Sequence, residues 1–541
     1  MQNSPEASVP SSPTSAPAPR LALVFVGLML AMLLSALSQT VLSAAMPTMV
    51  GELNGVDHML WIMTAFMLAS TIVMPIYGKI GDLIGRKGLL IAAILLFMAG
   101  SVLGAVAADM SMLISARVVQ GLGGGGLMIL SQAIIADIVP ARERGKYMGA
   151  MGAVFAVSSV AGPLLGGWFT EGPGWRWTFW MNIPVGLVAL AAAVFLLHLP
   201  HRERSKPRID AWGMALLAVA TTCIVLVASW GGKDFEWGSP TIIGLIVAAV
   251  VASVAFALVE RVTAEPVMPL HLFREKNFNL TTIAALLTSV AMMGTLAYMP
   301  TYLQMAFDAS ATAAGLLMTP MMGALLLTSV GAGQIVTRTG RYKWLPITGS
   351  IVLAAGLALL GTITPETPLW MLCSFLAVMG VGLGTSMQLL VLIVQNTFPA
   401  REVGTATAAN NYFRQIGGSL GGAVIGSLFT TRLAEQLAER LPQQAGPGSG
   451  MNSLTPELVH NLPGTVHDQI IWAYTEALAP LFLYIVPLAV IAAILLLFVT
   501  EKPLATTIER DVAETTVPDT LQEIYPVTTG SVSLPARTEE R

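Results

Sequence analysis

The sequence predicts an all-α polytopic membrane protein with fourteen transmembrane helices, arranged six, two, six. Composition, the spacing of apolar windows and an internal repeat predict it. Of 541 residues, 55% are hydrophobic and 11% charged, with a mean hydropathy of +0.72. A soluble chain carries about 25% charge, so a soluble globular fold is excluded. The run from Gly78 to Arg86 (GKIGDLIGR) returns from Gly333 to Arg341 (GQIVTRTGR), displaced by 255 positions. Ala161 to Gly167 (AGPLLGG) returns from Ile416 to Gly422 (IGGSLGG) with the same displacement of 255. Pro140 to Glu143 returns at Pro399 to Glu402, displaced by 259. The chain is duplicated inside a membrane.

Residues 1–20 are rich in Ser, Pro and Ala and read as a disordered tail. Six windows of about 20 apolar residues, the length that crosses a bilayer, follow at 21–49, 59–78, 88–107, 111–136, 146–169 and 177–199, forming an N-terminal bundle over 21–199. The first is too long for a cleaved signal peptide. Linkers and two inserted helices, 211–229 and 240–260, occupy 200–277. Six more windows, at 278–303, 313–335, 344–362, 369–395, 403–427 and 477–499, build a C-terminal bundle over 278–500 that includes an outer loop, 431–475. Residues 501–541 read as a second disordered tail.

Basic residues favour the cytoplasmic side of short loops. With the amino terminus inside, 22 of the 28 Lys and Arg residues lie on that side, and only Arg176, Lys233, Arg432 and Arg440 lie outside. Both termini are therefore expected in the cytoplasm, with the protein multi-pass in the cell membrane. Cys223 and Cys373 sit in separate apolar spans, so neither a disulfide framework nor a metal site is expected. No Walker pattern, HExxH or nucleophile elbow is present, which argues against ATP-driven transport and hydrolysis. No enzyme, cofactor or nucleic-acid partner is expected.

The candidate functional residues are those whose chemistry is misplaced in hydrocarbon. Asp82 and Arg86, one helical turn apart at the basic end of the second span, are spaced to pair as a gate; in the repeat, Thr337 replaces the acid. Gly162, Pro163, Gly166 and Gly167, with Gly417, Gly418, Gly421 and Gly422 in the repeat, permit close helix approach, either as static packing or as sliding seams. Arg117 and Arg414 lie within spans, where a guanidinium needs a polar cavity or a partner. Each is either a structural arginine or a centre that orients substrate or couples to a proton. Polar and aromatic groups on otherwise apolar helices are candidate cavity residues: Gln39, Thr40, Gln120, Gln132, Tyr298, Tyr302, Gln304, Gln388, Asn410 and Asn411. Pro300 is expected to interrupt its helix beside Tyr298 and Tyr302. Leu433, Leu437 and Leu441 give the outer loop an amphipathic start.

Several of these pieces together resemble the major facilitator superfamily, in its fourteen-helix drug:proton antiporter branch. The matching segments are 78–90, Arg117 to Gly121, Gly162 to Gly167, Trp175 to Pro184 and Tyr412 to Gly418. The resemblance covers about residues 21 to 500. It implies two six-helix bundles about a central cavity, and multidrug efflux: export of hydrophobic or amphipathic small molecules by alternating access, driven by proton entry. A monomer is expected.

One position departs from that branch. Where its pattern resembles Leu-Asp-x-Thr-Ile-Val, this chain has Leu37-Ser38-Gln39-Thr40-Val41-Leu42. No acidic residue falls in the middle of a span, so coupling would have to use Asp82, Asp137 or Glu476 near helix ends, or a protonatable substrate. Arg117, lacking the usual acid, is expected to bond Gln39 and to leave a positively biased cavity. A lipid or metabolite carrier and a transport-dead sensor or partner stand as alternatives.

Overall fold

The structure is a computed structural model describing residues 18–53, 55, 58–199, 208–232, 234–440 and 464–507. Most of both expected tails and residues 441–463 of the outer segment, including Leu441, lie outside these residues. Fourteen long helices are described: α1 Ala18–Glu52, α2 Met59–Ile84, α3 Arg86–Ala105, α4 Met110–Ile138, α5 Ala141–Glu171, α6 Trp177–Leu196, α7 Ala211–Trp230, α8 Pro240–Val262, α9 Lys276–Ala306, α10 Ala313–Thr339, α11 Trp344–Leu360, α12 Leu369–Thr397, α13 Val403–Arg440 and α14 Gly464–Leu497. Twelve are long and apolar enough to cross a membrane. The others are α11, apolar but only 17 residues long, and α13, diluted by Thr, Asn, Arg and Gly.

Helix is the form demanded here, because hydrocarbon offers no partner to a free backbone N–H or C=O. The boundaries follow local chemistry. The Asp109, Asp210, Ser239 and Ser310 side chains accept from backbone N–H groups in the first turns of α4, α7, α8 and the residues leading into α10. Gly85 (φ 98°) separates α2 from α3, and its repeat equivalent Gly340 (φ 72°) ends α10.

The duplication is visible in the contacts. In the first half α5 packs on α1, and α2 and α3 pack on α4; in the second, α13 packs on α9, and α10 and α11 pack on α12. A side chain at Gly162 or Gly166 would collide with Thr40 or Val41 of α1, and one at Gly417 or Gly421 with Leu286 or Val290 of α9. Gly167 and its equivalent Gly422 both face open space. These glycines therefore bring helices together inside each half.

The halves meet along two seams, α2 with α13 and α5 with α10. A Cβ at Gly78 would strike Ala408 and lie 2.8 Å from the Gly404 carbonyl. In the other seam a Cβ at Gly145 would lie 2.9 Å from the Gly333 carbonyl, and one at Gly149 would strike the Ser329 carbonyl. The inserted helices α7 and α8 pair with each other, and α7 lies against both α2 and α13. Trp230 meets Trp61 of α2 edge-on at 5.9 Å, and Thr221 bonds the Tyr412 hydroxyl of α13 at 2.9 Å.

Two expectations are corrected. Pro300 lies inside the uninterrupted helix α9, where packing on neighbouring helices tolerates a proline. The outer segment is helical at both ends: α13 continues to Arg440, burying Leu433 and Leu437, and α14 begins at Gly464.

Gly145→Val should lower the thermal unfolding midpoint of the purified protein by the equivalent of about 1–3 kcal/mol, the cost of overpacking. Gly167→Val, whose added Cβ meets nothing within 4 Å, should leave it within about 0.5 kcal/mol. Equal midpoints for the two variants would contradict a seam at Gly145.

Candidate functional site

At the face where α1 begins and α14 ends, here the basic face, one carboxylate does two jobs. Arg86, buried at the start of α3, sends Nη2 to Asp82 Oδ1 at 2.6 Å and Nη1 to Asp137 Oδ2 at 2.7 Å. Nη1 also donates to the Ala133 carbonyl. The second oxygen of Asp82 crosses to the other half, accepting from the Thr405 backbone N–H at 2.7 Å and from its hydroxyl at 2.8 Å. Thr405 lies in the first turn of α13, where unpaired N–H groups and the helix dipole favour an anion. Asp82 of α2 thus caps a helix of the opposite half while neutralising Arg86.

The other seam has a cap of opposite sign. Arg142, at the start of α5, donates Nε and Nη2 to the Thr337 and Arg338 carbonyls at 3.3 and 3.2 Å, at the end of α10. A guanidinium there meets the negative end of the dipole. A strap between α8 and α9 adds to the first seam, with Glu265 pairing Lys79 at 2.6 Å and His271 bonding Glu402 at 2.8 Å. Thr405, Arg142 and Glu265 escaped the sequence analysis. The one signal for Arg142 was its place in the repeated Pro-Ala-Arg-Glu.

Deeper in the fold, Arg117 is fully buried on α4. It bonds Ser38 Oγ of α1 at 3.2 Å, the Ile62 carbonyl of α2 at 3.1 Å and Gln120 Oε1, and its guanidinium lies 4.3 Å from the Phe66 ring centre. Gln120 passes the chain on to Ser101 at 2.8 Å. The expected Gln39 partner is corrected to Ser38, because adjacent helical residues point about 100° apart and only Ser38 faces α4; Gln39 is exposed. Thr40 bonds the Ser158 carbonyl of α5 at 2.8 Å.

A second chain crosses between the halves. Arg414 Nη2 donates to Asn411 Oδ1 at 2.6 Å, and Asn411 Nδ2 donates to Gln132 Oε1 of α4 at 2.9 Å. The Gln132 carbonyl accepts from Gln395 at 3.3 Å, and Asn410 donates to Thr282 at 3.1 Å. Gln388 is buried at the level of Gly152, its Oε1 without a partner. Tyr298 and Tyr302 instead join an aromatic cluster with Phe429 and Tyr474, at centroid distances of 4.7 and 6.2 Å. Gln304 bonds the Pro300 carbonyl of its own helix at 3.3 Å. At the face opposite the basic one, Arg176 pairs with Glu52 at 2.6 Å and Arg440 with Glu476 at 3.0 Å. No group of three or more His, Cys, Asp or Glu able to hold a metal occurs among the described residues.

Two duplicated helical halves, joined by charge-capped seams at one face and by a buried polar chain, give the architecture of a polytopic membrane transporter. The sequence profile of the Major Facilitator Superfamily matches residues 28–422, and the chain belongs to that family. It is 39% identical over 506 residues to an uncharacterized MFS-type transporter of Mycobacterium tuberculosis, covering 92% of this chain and 73% of the relative. It is 37% identical over 399 residues to the multidrug transporter protein MdtP of Bacillus subtilis, covering 73% of each chain. Identity to multidrug resistance protein 3 of Bacillus subtilis is 32%, over 90% of this chain and 96% of that one. The human organic anion transporter MFSD10 shares the fold with a TM-score of 0.56 at 16% identity, over 88% of this chain and 100% of that one.

Asp82→Asn should weaken the closed state of the basic face. Losing a charge-assisted bond costs about 1.5–3 kcal/mol, a ten- to hundredfold shift at about 1.4 kcal/mol per decade. Spin labels on the basic ends of α2 and α13 should report a longer or broader distance distribution. Thr405→Ala, which keeps its backbone N–H, should shift it less. An unchanged distribution in Asp82→Asn would remove Asp82 as a lock.

Proposed function

We propose that the protein is a proton-coupled exporter of hydrophobic or amphipathic small molecules, a multidrug efflux transporter working by alternating access. The observation that carries this reading is the pair of seams. Each half has its own internal helix pairings, while the halves meet along two helix pairs, α2 with α13 and α5 with α10, whose contacts at the basic face include capped helix ends and glycine crossings. Such contacts can part without either half unfolding. The efflux and multidrug relatives support the substrate class.

The basic face is the cytoplasmic one in this reading, with both chain ends on that side of the cell membrane, as its excess of Lys and Arg supports. The protein works as a monomer. Coupling runs through the Asp82, Arg86 and Asp137 cluster. Protonation of Asp82 converts its carboxylate into a neutral acid, which holds Arg86 less tightly and no longer opposes the positive end of α13. The seam then opens toward the basic face. Arg117 fixes the relative positions of α1, α2 and α4 and so serves the same rigid-body motion.

In proteoliposomes, movement of a cationic, a neutral and an anionic dye should depend on an imposed proton gradient. Arg117→Ala should reduce transport at least about tenfold, the equivalent of about 1.4 kcal/mol, with inserted protein retained. Gradient-independent movement would overturn the coupling, and an unaffected Arg117→Ala would overturn that residue's role.

A further inference from the structure

The two arginines buried within helices differ in how far the protein satisfies them. Neither has a carboxylate within ion-pair distance among the described residues, in contrast to Arg86 with its two. Arg117 is provided for: three acceptors and an aromatic ring surround it, leaving one nitrogen, Nη2, without a partner. Arg414 has the Asn411 side-chain oxygen as its acceptor, and its Nη1 is buried with no partner. A guanidinium enclosed in this way carries a desolvation cost of several kcal/mol unless a negative group compensates it.

Beside Arg414 is a small cavity between α9, α12 and α13, lined by Thr288, Ser289, Met292, Met387, Leu390 and Arg414 itself. Its volume in this conformation is about that of one water molecule. The Thr288 hydroxyl is buried and also lacks a partner, so two of the residues lining this cavity each hold an unused donor. The remaining wall is largely methionine and leucine, side chains that repack readily around a guest.

We propose that this cavity is an anion subsite, taking the carboxylate or sulfonate of an amphipathic substrate. Arg414 Nη1 and the Thr288 hydroxyl donate to the anionic group, and the apolar part of the molecule lies along Met292, Met387 and Leu390. The assignment deepens the transporter reading above and rests on it. The subsite is also wired to the seam. An anion that draws the guanidinium into the cavity competes with Asn411 for it, and Asn411 is the residue that bonds Gln132 across the halves. Occupancy therefore loosens a contact that must break for the halves to rock apart.

The test uses fluorescein and rhodamine 6G, xanthene dyes of opposite charge, bound to the purified full-length protein in nonionic detergent and followed by anisotropy, with protein-free micelles subtracted. Wild type should bind fluorescein. Arg414→Gln should weaken that binding at least about tenfold, as expected for loss of a charge-assisted bond, and leave rhodamine 6G unchanged. Arg414→Lys should retain most of the fluorescein affinity, and Thr288→Val should lower it about threefold, the smaller loss of a neutral hydrogen bond. Should Arg414→Gln prove misfolded by size-exclusion profile, Arg414→Lys and Thr288→Val carry the test. No fluorescein binding by wild type, equal loss of both dyes in Arg414→Gln, or indifference of fluorescein to both Arg414→Gln and Thr288→Val would overturn the subsite. Added chloride that displaces fluorescein from wild type but not residual dye from Arg414→Gln would support the site and mark a free ion as a competing occupant. Dye efflux from proteoliposomes separates the two readings. Charge-selective binding without movement would sink the transport reading alone, and movement indifferent to Arg414 would sink the subsite alone.

Discussion

Asp82 has one carboxylate and two obligations. One oxygen holds Arg86, and the other caps the first turn of a helix from the opposite half. The arrangement fixes distances throughout the basic face. Helix α13 must approach α2 closely enough for a side chain as short as aspartate to reach its backbone, and this is why Gly78 and Gly404 have no room for a Cβ. Arg86 must in turn be held from behind, which Asp137 and the Ala133 carbonyl do.

The opposite seam solves the same problem with the charges exchanged. Its repeat equivalent of Asp82, Thr337, is not an acid, and there the cap is the Arg142 guanidinium resting on the last carbonyls of α10. A helix offers a positive end and a negative end, so a duplicated fold can keep one geometry of contact while inverting its electrostatics. Glycine crossings are retained in both seams, because they serve backbone approach and not charge.

Much of this was legible in the sequence, for identifiable reasons. Twelve of the fourteen helices follow from hydropathy and length, α11 and α13 follow from their place in the repeat, and the pairing of Asp82 with Arg86 follows from their separation by one helical turn. Thr405 was invisible because its backbone N–H is the principal donor, and every residue but proline has one. Arg414, Asn411 and Gln132 each stood out as polar groups in apolar helices, but their chain depends on a register between α4 and α13 that no local pattern encodes. Ser38 and Gln39 were interchangeable by composition, and only the rotation of α1 about its axis decides which meets Arg117. The outer ends of α13 and α14 are not legible in the sequence, because polar residues beyond a membrane-length window say nothing about where a helix stops.

The inserted pair is where symmetry ends. Helix α7 rests on α2 and α13 at once, held by Trp61 on one side and Tyr412 on the other, whereas no helix is described bridging α5 and α10 from outside. A rod attached to two bodies cannot follow both when they separate. Any rotation of the halves must therefore drag α7 along one partner and slide it past the other, and that friction is felt on a single flank. The duplicated architecture is two-fold in its contacts and lopsided in its mechanics.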